Sequence, residues 1–63
     1  MSATERPFQH VYERIAGRVN RDLEVNLSAN DVWEILEAQT LGWADGVVNY
    51  VRHEADEYGI PHK

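Results

Sequence analysis

Residues 27–36 read LSANDVWEIL, and this stretch fixes where the chain stops being a connector and becomes a helix. Ser28 and Asp31 stand three apart, the spacing at which a serine hydroxyl and an acidic side chain each satisfy the other's backbone N–H at a helix start. Leu27 and Val32 flank that pair as a hydrophobic staple. Behind the cap, Val32, Ile35 and Leu36 recur at helical spacing, with Trp33 on the flank and Glu34 and Glu37 facing water. A second helix is therefore expected from Ala29 to about residue 39 or 40.

Upstream of it, Phe8, Val11, Tyr12, Ile15, Val19 and Leu23 share one face at spacings of three and four, which predicts a first helix over about 5–23. Thr4 is placed to cap it and Pro7 is tolerated in its first turn. Gly17 lies inside and reads as a point of close approach. LEVNL at 23–27 has some extended character, but no strand pattern stands out.

Downstream, Ala44, Val47, Val48, Val51, Ala55 and Tyr58 define a third helix over about 44–58, which Gly59 closes, with Ile60 folding back onto Ala55 and Pro61 preventing resumption. The expected fold class is all-α: one domain, 1–63, of three helices (about 5–23, 29–40 and 44–58), with frayed ends at 1–4 and 60–63. Its core is expected from Val11, Ile15, Val19, Val32, Ile35, Leu36, Val47, Val48 and Val51.

A domain of 63 residues buries only about 60% of the surface that its unfolded chain exposes, so its core needs help. With no cysteine, disulfides and thiolate metal sites are excluded, which leaves good helix packing or self-association. A homodimer is the expectation. No apolar run in MSATERPFQHVYERIAGR has the character of a signal peptide or membrane span, and a cytoplasmic location with no membrane partner is expected.

Charge is unevenly spread. Residues 1–22 hold four arginines against three acids, whereas residues 23–63 hold eight acids against Arg52 and Lys63. His10, Arg14, Arg18 and Arg21 run along one side of the first helix as a candidate basic patch for nucleic acid or an acidic protein surface. Glu54, Asp56 and Glu57 cluster where they oppose the dipole of the third helix.

Between the second and third helices lies EAQTLGWADGVV, residues 37–48. A DNA-reading helix-turn-helix wants a small residue where its first helix meets its second, a glycine four positions later for the tight turn and apolar residues locking the pair at a steep angle. Ala38, Gly42, Leu41, Trp43, Val48 and Val51 meet that template. Glu37 falls at a position that would be buried, and Asp45 opens a would-be recognition helix whose sole arginine is Arg52, although Asn49 and His53 are of a type that reads base edges.

The preferred reading of this stretch is a corner that presents an aromatic to another protein. Trp33, Trp43, Tyr50 and Glu54 are the candidate protein-interface residues, aromatics at the edge of a small core being favoured anchors. Trp43 and Tyr50, seven apart, are expected on one shoulder of the third helix.

No catalytic Ser-His-Asp grouping, phosphate-binding glycine loop or sequestered carboxylate pair occurs, and His10, His53 and His62 lack metal-pair spacing; neither an enzyme nor a cofactor is expected. The expected function is a small non-enzymatic protein-interaction module, the alternative a helix-turn-helix-like DNA-binding accessory protein.

Through Leu27, Ser28, Asp31, Val32, Trp33 and Leu36, LSANDVWEIL resembles the openings of short uncharacterised helical proteins of actinobacteria and their bacteriophages. The resemblance implies a viral or mobile-element setting, in which small proteins bind and redirect a host protein.

Overall fold

The cap predicted from LSANDVWEIL forms in full. In the computed structural model, which describes residues 8–62, the Asp31 N–H donates to Ser28 Oγ (3.1 Å) and the Ser28 N–H donates to Asp31 Oδ2 (3.0 Å). Three helices follow one another: α1 (Gln9–Leu23), α2 (Ala29–Leu36) and α3 (Asp45–Tyr58). Each packs on the other two, and no strand occurs among the described residues.

The core takes Ile15 and Val19 from α1, Val32, Ile35 and Leu36 from α2, and Val47, Val48 and Val51 from α3, as the periodicity required. Removing one such side chain from water is worth about 1.5–3 kcal/mol. Tyr12, Ala16, Leu27, Ala55 and Ile60 complete it. Val11 is only half-buried at the edge, and Phe8, Leu23 and Tyr58, read as inward-facing, are exposed. Phe8 and Leu23 stand at the two ends of α1.

Several boundaries differ from the sequence expectation. Phe8 has φ 67, so α1 begins at Gln9, while the expected start at residue 5, the Thr4 cap and Pro7 lie outside the described residues. Helix α2 stops at Leu36 rather than at 39 or 40 because Ala38 turns left-handed (φ 70). The Ala38 N–H then donates to the Ile35 carbonyl (3.0 Å) and the Gln39 N–H to the Glu34 carbonyl (2.9 Å). These two bonds are the Schellman closure, here built on alanine instead of the usual glycine.

The same closure ends α3 on Gly59 (φ 75), with the Ile60 N–H donating to the Ala55 carbonyl (2.9 Å). Ile60 is buried and His62 lies 2.8 Å from Asp56, so residues 60–62 pack against the helix end instead of fraying. Gly17 is exposed, and a Cβ there would meet nothing within 4 Å. It marks no close approach.

Candidate functional site

The corner between α2 and α3 consists of two consecutive turns. After Ala38 closes α2, the Trp43 N–H donates to the Thr40 carbonyl (3.0 Å), which makes residues 40–43 a β-turn with Gly42 at its third position. Gly42 has φ 93, the sign that a type II turn demands there. Leu41 occupies the second position, at the outside of the bend, and its side chain is 101% exposed. The chain then returns inward, and Trp43 packs half-buried against the core.

Glu34, Ala38, Gln39, Thr40, Leu41 and Trp43 line an open groove of about 590 Å³ at this corner. Its walls are the last turn of α2 and the β-turn, so both turn closures set its shape. Glu34 is the carboxylate in the lining and accepts a hydrogen bond from Asn30 (3.3 Å).

This geometry departs from the helix-turn-helix template. Ala38, which the template puts where the two helices meet, lies beyond the end of α2 in a left-handed conformation. Leu41, which should lock the helix pair, points into solvent. On α3, Arg52 is half-buried, with its Nε out of solvent and without a hydrogen-bond partner. Asp45 sits in the first turn of α3, and His53 lies 3.9 Å from Glu57.

Trp43 and Tyr50 do not share a shoulder. Trp43 precedes the N-cap Ala44 and belongs to the groove, whereas Tyr50 reaches across to α1, where its hydroxyl donates to Asp22 Oδ2. Arg21 Nε reaches the other oxygen of Asp22 (3.3 Å), and Arg18 Nε lies 3.5 Å from Glu54 Oε1, whose side chain is only 12% exposed. Trp33 is half-buried against the core. Of the four expected interface residues, Tyr50 and Glu54 are thus engaged within the chain, and Trp43 lines a surface groove.

The α1–α3 polar network shifts its members. The Tyr50 hydroxyl, and after it the Arg21 side chain, hold the Asp22 carboxyl below its ordinary value. The same bond to Asp22 pushes the Tyr50 hydroxyl up, and hydrogen bonding to Tyr50 followed by the charge of Glu54 raises Arg18. Within the candidate basic patch, Arg18 and Arg21 have acidic partners, and His10 lies 3.9 Å from Glu13. Arg14 is exposed on α1.

The acidic cluster is likewise engaged, Glu54 with Arg18, Asp56 with His62 and Glu57 with His53. Among the described residues no group of three or more His, Cys, Asp or Glu side chains is arranged to hold a metal ion, and no helix is long and apolar enough to cross a membrane.

No protein-family model matches the chain, and comparison with curated proteins and with solved structures gives no significant match.

Sequence reasoning missed two features of this region. Leu41 reads from the sequence as a locking residue, because a leucine between two helices ordinarily packs; the local signal for a turn there was Gly42, a residue type that supplies positive φ. Ala38 gave no signal at all, since alanine is the strongest helix former and nothing local marks it as a terminator.

Proposed function

We propose that the chain is a small non-enzymatic protein-interaction module that acts in the cytoplasm and docks another protein at the α2–α3 corner. The observation that carries this reading is Leu41, held wholly in solvent by a hydrogen-bonded turn above a groove lined by Trp43. Trp43, half-buried in the groove lining, is of the aromatic type on which interface affinity concentrates, and the exposed Leu41 adds apolar surface beside it in the chain. The likeness of LSANDVWEIL to phage-encoded helical proteins suits a partner from a host cell.

Photo-crosslinking from position 41, compared with position 49 on the exposed face of α3, tests this reading in host extract. A protein captured from position 41 alone is the expected result; equal capture from both positions, or none, counts against it.

The homodimer is the second form of the same reading, and it draws on the small size of the core. Sedimentation equilibrium at micromolar concentration tests it, and a strictly monomeric chain removes it. The DNA-binding alternative draws on exposed Arg14. Phosphate attraction is strongest at low salt, so failure to retain DNA there eliminates that alternative.

A further inference from the structure

We infer that two copies of this chain exchange α3, and that the α2–α3 corner is the hinge that straightens to allow it. The inference rests on the homodimer form of the function proposed above and says how that dimer is built. Exchange places α3 of one copy on α1 and α2 of the other, so Val47, Val48, Val51 and Ala55 keep their buried surroundings. The Tyr50–Asp22 bond and the Arg18–Glu54 ion pair form again, now between copies. With these contacts equal in both forms, the corner and the entropic cost of association decide between them.

Several features of the corner favour straightening. Ala38 is left-handed (φ 70) without being a glycine, and Leu41 is wholly exposed, so no packing is given up at the tip of the bend. Glu37, Ala38, Gln39 and Leu41 are strong helix formers, and the Glu37 N–H already donates to the Trp33 carbonyl (3.0 Å). Straightening replaces the Ala38–Ile35, Gln39–Glu34 and Trp43–Thr40 bonds with helical bonds to the carbonyl four residues back, so each of these N–H groups keeps an acceptor.

Gly42, at φ 93, and Trp43, packed half-buried on the core, hold the corner shut. The single chain therefore prevails when dilute and the exchanged dimer when concentrated. The α1–α2 connector is a poorer hinge: Glu24 is left-handed there (φ 57), but Asn20 bonds both backbone groups of Leu27 and ties the connector to α1. Exchange also unmakes the corner groove, so the dimer and the docked state exclude one another.

The test is an isotope-filtered nuclear Overhauser experiment on dimer prepared by unfolding and refolding labelled and unlabelled full chains together. Contact between the Tyr50 ring of one chain and the Asp22 β-protons of the other is expected. Sedimentation equilibrium of two variants then locates the hinge. Ala38→Gly favours the left-handed corner and disfavours helix at both hinges of the dimer, so dimerisation should weaken about tenfold or more. Gly42→Ala strains the turn and favours helix, so dimerisation should strengthen by a similar factor.

A dimer whose Tyr50–Asp22 contact stays within each chain would overturn exchange and leave the homodimer standing. A chain still monomeric at millimolar concentration would overturn both and leave the docking corner untouched. Interchain contact with dimerisation indifferent to both substitutions would overturn the corner as the hinge.

Discussion

Asn20 holds Leu27 by both backbone groups: its side-chain amide donates to the Leu27 carbonyl (3.0 Å) and accepts from the Leu27 N–H (2.7 Å). One side chain on α1 thereby fixes the residue that immediately precedes the α2 cap, so the start of α2 is tied to α1 before any packing of its apolar face. Leu27 is buried, and without Asn20 its N–H and C=O would be left there unsatisfied. Asn20→Ala is expected to destabilise the fold by about 1–3 kcal/mol. Asn20→Asp is expected to rescue little, because a carboxylate cannot donate to the carbonyl. Urea unfolding followed by circular dichroism measures both.

That clamp also shows where sequence reading stopped. The cap of α2 and the closure of α3 were legible because each is a local pattern, serine to aspartate and glycine to isoleucine, whose chemistry lies within a few residues. The eight core residues other than Val11 were legible through their 3.6-residue period. Asn20–Leu27 and Tyr50–Asp22 were not, since each joins residues that only the packing of helices brings together. Trp43 was legible as a corner residue but not as one separate from Tyr50, because assigning both to one helix ignored the β-turn that ends at Trp43.

A pH window follows from the Tyr50–Asp22 bond. Asp22 has its carboxyl held below the ordinary value of 3.8 in the fold, so its contribution to stability is present above the unfolded value and is lost as pH falls through the lower folded one. Tyr50 is raised above 10.0, so its contribution is present below that value and is lost as pH climbs through the higher folded one. Tyr50→Phe should therefore destabilise the chain at neutral pH and flatten both limbs of its pH–stability curve. Thermal melts across the acid and alkaline ranges check the stability effect, and the alkaline phenolate absorbance lost in Tyr50→Phe gives the direction of the tyrosine shift.

Backbone conformation gives three substitutions with opposite signs. Ala38 stands where a glycine costs nothing sterically (φ 70), so Ala38→Gly is expected to stabilise by about 1 kcal/mol, the usual left-handed penalty of a Cβ. Gly59→Ala (φ 75) should destabilise by about the same amount. Gly17→Ala, in an exposed and open helical position, should gain about 1 kcal/mol from helix propensity alone. If Ala38→Gly proved destabilising, the closure of α2 at Leu36 would be wrong and the longer helix read from the sequence would be right. Chemical denaturation of the three variants side by side decides it.

Leu41 and Trp43 are two residues apart yet should separate cleanly in stability. Leu41 is wholly exposed at the outside of the turn, so Leu41→Ser removes no buried area and should change unfolding free energy by less than about 0.5 kcal/mol. Trp43 is half-buried and packed on the core, and Trp43→Ser should cost about 1–3 kcal/mol through lost apolar burial. A leucine that can be removed without loss to the fold is free to serve the docking proposed for the corner. If Leu41→Ser instead destabilised the chain as much as Trp43→Ser, Leu41 would be a packing residue, and the corner would lose its claim to be a docking surface. Parallel urea titrations of the two variants, monitored by far-ultraviolet dichroism, make the comparison independent of the tryptophan signal that one variant lacks.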